Sequence, residues 1–319
     1  MPLFPESEPW AVHHLAVGDG HTLHVEECAA VDGLPVVFLH GGPGSGCSPA
    51  QRRLFDPARF RAILVDQRGC GRSTPLGADR ANTTAYLVAD LERLREHLGI
   101  PGWIVFGGSW GSTLGLAYAQ AFPQRVLGLV LRGIFLGSPE EIHTYVQGQS
   151  GAAPEAWQLF AAAIPAGERG DLLAALARRI VDADPAITTP AAHAWIDYER
   201  ALMGEPPLAE LPDRVRIAKA RLQMHYLTNA CFLPSGALLA GIERIRHIPA
   251  AIVQGTADPV CPPQTAEKLR DAWPEATWVP VAGAGHAGLS PPVADACIEA
   301  LGWVAEWAGS QCKGRGTLI

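Results

Sequence analysis

Lysine is scarce in this chain: three residues among 319, with 25 lysines and arginines together against 32 aspartates and glutamates. The net charge of −7 and the lack of any basic run make a poor counter-ion for phosphate, which excludes a nucleic-acid-binding module. Long apolar runs are missing too. Nothing approaches the roughly 18 uninterrupted apolar residues of a membrane span. The opening MPLFPESEPWAVHH has neither a basic start nor a continuous apolar stretch, so it does not read as a signal peptide. The seven cysteines are scattered and odd in number, with no C-x-x-C pair, and reduced thiols in a cytoplasmic protein are expected. No H-E-x-x-H, no G-x-x-x-x-G-K-[ST] and no dinucleotide fingerprint occurs, so no metal, nucleotide or other cofactor is expected. His13, His14, His21 and His24 lack ligand spacing and are expected at the surface.

What remains has the composition of a globular protein. With 48% hydrophobic and 18% charged residues there is enough apolar material for a core and too little charge for a disordered chain. At roughly 150 residues per domain the length suits two units, or one α/β core with an insertion. Residues 36–39, 62–65, 103–106 and 126–131 are short apolar runs that read as buried strands. Residues 83–98 carry leucines at 87, 91, 94 and 98, a helical spacing, and stop at Gly99-Ile100-Pro101. Strands alternating with helices predict an α/β fold with a mostly parallel central sheet and helices on both faces. Residues 134–246 are rich in alanine, arginine and leucine. Prolines at 185, 190, 206, 207 and 212 interrupt them and no strand is evident, which predicts a helical insertion. The α/β pattern resumes with strands at 250–253 and 277–281 and a closing helix over 293–307, and the residues from Gly309 read as a loose tail. The expected division is a core of residues 1–133 and 247–319 with an inserted helical cap of 134–246.

Gly107-Gly108-Ser109-Trp110-Gly111 is a G-x-S-x-G between a strand and a helix, the context of a nucleophile elbow. The turn is so tight that a Cβ at the flanking positions would strike neighbouring backbone, which is why they are glycine. The helix that follows aims backbone N–H groups and a positive dipole end at a developing oxyanion. In hydrolases of this architecture the serine is followed in the chain by an acid and then a histidine. Asp258 comes just past the strand at 250–253, and His286 just past the strand at 277–281. Groups at the carboxyl edge of a parallel sheet face one crevice, so the order and placement fit a Ser109–His286–Asp258 triad. The alternatives, Asp258 as a turn cap and His286 as a loop histidine, need two coincidences at once. His40-Gly41-Gly42-Pro43-Gly44 follows the first core strand, and its glycines would let the Gly42 N–H turn toward a substrate carbonyl as a second oxyanion donor beside that of Trp110, the alternative being a glycine-rich turn. Cys47, Cys70 and Cys261 are expected to be incidental thiols, and Asp66-Gln67-Arg68-Gly69 a hydrogen-bonded brace.

These motifs resemble those of the prolyl iminopeptidases, serine aminopeptidases of the α/β-hydrolase fold, across about residues 10–307. The resemblance rests on HGGPGSGCSP (40–49), FDPARFRAILVDQRGCGRSTP (55–75), NTT (82–84), FGGSWGSTLGLAYA (106–119), LRGIF (131–135) and DPVCP (258–262). It implies Ser109 as nucleophile, His286 as base and acid, Asp258 as its orienter, Gly42 and Trp110 as oxyanion donors, and a helical cap over the site. It also implies two cap glutamates that hold the substrate's free amine. One falls at Glu199, in Trp195-Ile196-Asp197-Tyr198-Glu199. The other belongs to an A-R-I-E-N-H-Y segment, where this chain reads Ala220-Arg221-Leu222-Gln223-Met224-His225-Tyr226. Gln223 therefore stands where the family has a carboxylate, and it brings no charge. Losing one charge-assisted contact costs about 1.5–3 kcal/mol; Asp197, Glu205 and Glu210 are candidates to replace it. Phe135 matches a residue that packs on the prolyl ring, and Arg132 and Tyr145 match further substrate contacts.

The expected activity is thus a metal-free serine aminopeptidase that releases an N-terminal residue, foremost proline. Its substrate is a peptide or aminoacylated small molecule with a free amine, with no nucleic-acid or membrane partner. Gln223 leaves open a cap retuned to another aminoacyl group, such as alanyl, on a peptide or hydrophobic small molecule. A general esterase or amidase, and a non-catalytic binding protein on the same fold, complete the alternatives. The sequence carries no signal for oligomeric state.

Overall fold

The structure is a computed structural model that describes residues 2–148, 151–206 and 211–314. Its strands are β1 (Ala11–Gly18), β2 (His21–Ala29), β3 (Leu34–Leu39), β4 (Phe60–Asp66), β5 (Trp103–Ser109), β6 (Val126–Ile134), β7 (Ala250–Gly255) and β8 (Thr277–Val281). They form one sheet in the order β1-β2-β4-β3-β5-β6-β7-β8. From β4 to β8 neighbouring strands are parallel, while β2 joins β4, and β1 joins β2, antiparallel. The parallel strands are the continuous apolar runs of the sequence because both of their faces are covered. Along β3, Val37 and Leu39 enter the core on one face, with Leu87, Leu91 and Leu94 of helix Thr84–His97. Val36 and Phe38 point to the other face, where Val293, Ile298, Leu301 and Val304 of the closing helix pack.

The order also decides where a site can form. The chain steps from β3 to β4 on one side and then crosses to β5 on the other, so the carboxyl ends of β3 and β5 flank a topological switch point. His40–Gly44 leaves β3 there, and Ser109 ends β5 at the same edge.

Between β6 and β7 every described element is helical, the longest being Pro185–Leu202 and Asp213–Thr228. Pro185 and Pro212 mark helix starts, as their missing N–H allows, but Pro190 lies inside the first of these helices. The segment is seated on the sheet core through the NTT motif. Tyr226 Oη donates to Asn82 Oδ1 at 2.8 Å, His225 Nε2 meets the Asn82 carbonyl at 2.7 Å, and Thr84 Oγ1 donates to the Cys231 carbonyl at 2.5 Å.

Two expectations from the sequence need correction. His21 and His24 are buried rather than at the surface, because β1–β2 is a hairpin and β2 lies between β1 and β4. His21 Nε2 donates to the Arg80 carbonyl, and the buried Glu26 and Glu27 of β2 pair with Arg52, Arg72, Arg61 and His13. Residues from Gly309 are not a tail as far as they are described: the closing helix runs Pro291–Gly314.

Candidate active site

Ser109 occupies a backbone conformation of φ 57°, ψ −126°, sparsely populated for a residue with a side chain. The neighbouring glycines make it possible. A Cβ on Gly107 would lie 2.1 Å from the Gly111 carbonyl oxygen, and a Cβ on Gly111 would lie 2.1 Å from that of Leu39. Strand β5, helix Trp110–Ala121 and the end of β3 are thus in backbone contact around the serine. Ser112 Oγ donates to the Ser109 carbonyl at 2.7 Å and accepts from Phe135 N–H at 3.2 Å, tying the turn to the end of β6.

His286 and Asp258 come together from the loops after β8 and β7. Nδ1 of the histidine stands 2.7 Å from Asp258 Oδ2, and both residues are buried. The other oxygen, Oδ1, accepts the backbone N–H groups of Val260 and Cys261, each at 2.9 Å. Burial alone would push the Asp258 carboxyl up; the His286 ring, the Cys261 N–H and Arg132 together hold it below the ordinary value. An ionised Asp258 keeps the Nδ1 proton and leaves Nε2 as the acceptor. Gly133, at φ 56°, passes beneath the pair; its Cβ would stand 3.2 Å from the imidazole. Arg132 Nη1 donates to the His286 carbonyl at 2.6 Å, so the guanidinium braces the histidine loop.

The loop after β3 is held by Gln67, within the segment the sequence marked as a hydrogen-bonded brace. Gln67 N–H donates to His40 Nε2 at 3.1 Å, and Nδ1 lies 2.8 Å from the Gly41 carbonyl and 3.3 Å from the Gly46 N–H. Gln67 Nε2 donates to the His40 carbonyl, and its Oε1 accepts the Trp110 indole N–H at 2.9 Å. One side chain therefore fastens His40 to the start of the elbow helix. A Cβ on Gly41 would approach Ser109 Cβ to 3.3 Å, and Gly42 adopts φ 118°. Cys261 Sγ lies 3.9 Å from Ser109 Oγ. Burial and the neighbouring Asp258 push the Cys261 thiol well above its usual value, so it is a neutral neighbour of the serine rather than a thiolate.

These groups border a cavity of about 440 Å³, a size usual for small-molecule sites. Gly41, Gly42, Ser109 and His286 line it from the sheet side, and Phe135, Tyr145, Glu199 and Lys219 from the helical side. Glu199 is buried and accepts hydrogen bonds from Tyr145 Oη, Gln223 Nε2 and Lys219 Nζ, each at 2.5 Å. Burial would raise the Glu199 carboxyl, but Lys219 and the Tyr145 and Gln223 donors bring it below the ordinary value. Gln223 is fully buried and does not border the cavity; its Oε1 accepts the Trp195 indole N–H at 2.8 Å. A direct contact of Gln223 with substrate, expected from the sequence, is therefore replaced by support of Glu199 from behind. Of the candidate substitutes, Asp197 pairs with Arg216, and Glu205 lines the cavity but pairs with Arg200 at 2.8 Å. Glu210 lies outside the described residues. Lys219 was invisible in the sequence patterns, since its partner lies on another helix. Among the described residues no three His, Cys, Asp or Glu side chains converge as a metal set, and no helix is long and apolar enough to cross a membrane.

A model of the α/β-hydrolase fold matches residues 35–290. A proline iminopeptidase of Arabidopsis thaliana is 46% identical over 299 residues, 91% of this chain and 79% of the relative. That of Neisseria gonorrhoeae is 46% identical over 303 residues, 94% of this chain and 97% of its own. This chain belongs to the proline iminopeptidase family. The crystal structure of the Mycobacterium smegmatis proline iminopeptidase, at 22% identity, superimposes with a TM-score of 0.60 over 94% of this chain and all of its own fold. Lys219 and Gln223 share one helix. They lie one helical turn apart and both hold the glutamate that the resemblance assigns to the substrate amine.

Proposed function

We propose that the protein is a serine aminopeptidase that releases an N-terminal proline from peptides through an acyl-enzyme. The observation that carries this reading is the single cavity in which the elbow Ser109, the Asp258-held His286 and the cap carboxylate Glu199 all meet. Ser109 Oγ gives its proton to His286 Nε2 and attacks the carbonyl carbon of the first residue. The N–H groups of Gly42 and Trp110 hold the oxyanion, a term commonly worth about 2.7–4 kcal/mol per donor. His286 then passes the proton to the leaving amine, and water, deprotonated by the same imidazole, hydrolyses the ester. Phe135 packs against the pyrrolidine ring and Glu199 takes the amine, which restricts cleavage to the chain end. Arg132 acts through its hold on the His286 loop, Gln223 and Tyr145 through Glu199. Residues 134–246 serve as the cap that brings Glu199 over the serine. The free thiols of Cys28, Cys47, Cys70, Cys231, Cys261 and Cys297 fit a reducing, cytoplasmic setting.

A second reading keeps this chemistry for another aminoacyl group, such as alanyl. It is favoured by the glutamine at 223, which leaves the amine site with one carboxylate.

The test compares L-prolyl 4-nitroanilide with the 4-nitrophenyl ester of cyclopentanecarboxylic acid, which keeps a five-membered ring and drops the amine. In Glu199→Gln, kcat/KM on the prolyl substrate is expected to fall at least tenfold, from a lost contact of about 1.5–3 kcal/mol. The ester is expected to lose much less. Equal losses on both would remove Glu199 from amine recognition.

A further inference from the structure

The carboxylate assigned to the substrate amine already has an ammonium on it. Lys219 Nζ donates to Glu199 Oε2 at 2.5 Å, while Tyr145 and Gln223 donate to Oε1. Gln223 adds no acceptor for a cation, because its only carbonyl oxygen faces the Trp195 indole and its amide N–H faces Glu199. At this point of the wall the one negative charge, the buried Glu199, is therefore neutralised by the one positive charge of Lys219. A second ammonium arriving at Glu199 would leave two cations on one desolvated carboxylate, a repulsive arrangement.

Lys219 can leave. It borders the cavity, its side chain is 17% exposed, and its flexible stem lets Nζ swing toward water without moving the helix. The other cations on the wall are engaged elsewhere: Arg200 with Glu205, and Arg132 with the His286 carbonyl. We propose that Lys219 is a specificity-determining residue whose ammonium occupies Glu199 in the free protein and must be displaced by the protonated amine of the substrate. The proposal rests on the aminopeptidase reading above and adds that amine recognition is an exchange, so that selectivity for free-amine substrates is set by the affinity of Glu199 for Lys219.

Binding without turnover tests this directly. In a Ser109→Ala background, calorimetry gives Kd values for L-prolinamide and for cyclopentanecarboxamide, the same ring without the amine. Adding Lys219→Met, which keeps the stem and removes the competitor, is expected to tighten prolinamide at least tenfold relative to cyclopentanecarboxamide. Lys219→Arg, which restores a cation, is expected to return the ratio toward that of the Ser109→Ala parent. A merely structural lysine would shift both amides together. An unchanged ratio, a ratio shifted against prolinamide, or no prolinamide binding in either protein would overturn the proposal. Should Lys219→Met fail to fold, as read by its melting curve, Lys219→Gln carries the same expectation. Turnover of L-prolyl 4-nitroanilide by the unaltered protein tests the aminopeptidase reading separately. Turnover with an unchanged ratio sinks only the exchange, and a tenfold shift without turnover sinks only the peptidase.

Discussion

Ser109→Ala is expected to lower kcat on a prolyl amide by roughly 10³- to 10⁶-fold, with KM changing little. In the proposed mechanism the attacking oxygen disappears, while the cavity, the proposed oxyanion donors and Glu199 remain, so binding persists and some catalysis over water survives. The partner change, Asp258→Asn, is expected to cost about 10⁴-fold. Asp258 uses Oδ2 on His286 Nδ1 and Oδ1 on two backbone N–H groups. An asparagine can place its oxygen on those backbone groups, but its amide then faces Nδ1 with a donor. The imidazole responds by moving its proton to Nε2, the nitrogen that has to accept from Ser109. Steady-state kinetics on both variants checks the account. A loss of tenfold or less in either would mean that the reaction runs through other groups, and the double variant should be no worse than Ser109→Ala alone.

Gly111→Ala is expected to destabilise the fold by more than about 3 kcal/mol, beyond the usual range for overpacking. The added methyl would sit 2.1 Å from the Leu39 carbonyl oxygen and 3.1 Å from that of His40. Neither is the end of a flexible side chain; both are backbone at the close of a central strand. Relief requires moving the elbow helix off β3, which also pulls Ser109 away from the Gly41–Gly42 loop. Thermal unfolding should show a drop of roughly 5–10 °C, accompanied by loss of activity. Gly167→Ala, where nothing lies within 4 Å of the added carbon, is the control and should stay within about 0.5 kcal/mol. A Gly111→Ala protein as stable and active as the control would mean that the backbone contact at the elbow is looser than this structure has it.

Those two expectations draw on the parts of the molecule that were most legible in the sequence. Ser109 could be placed because the steric demands of the elbow are local: two glycines, a strand before and a helix after. Asp258 and His286 followed because each sits directly past an apolar run, and a parallel sheet sends both to one edge. The β1–β2 hairpin went unread for the opposite reason. His21, His24, Glu26 and Glu27 look like exposed positions until Arg52, Arg61 and Arg72, distant in the chain, arrive to pair with the two glutamates. The grip of Lys219 on Glu199 was equally hidden, since it joins helices Pro185–Leu202 and Asp213–Thr228 and depends on how they pack. Gln223 could be read as a missing charge, but its turn toward Trp195 could not. Local sterics and strand-end placement are written along the chain; charge pairing between helices is written only in their packing.

The central claim is that this cavity cleaves after a free-amine N-terminal residue, foremost proline. The most direct measurement is kcat/KM on the 4-nitroanilides of L-proline, L-alanine, L-leucine and N-acetyl-L-proline, with Ser109→Ala as the blank. The expected result is a preference for the prolyl substrate that acetylation abolishes. Equal turnover of the acetylated and free prolyl substrates would contradict the claim, and alanyl turnover above prolyl would keep the chemistry while assigning the cap to another aminoacyl group.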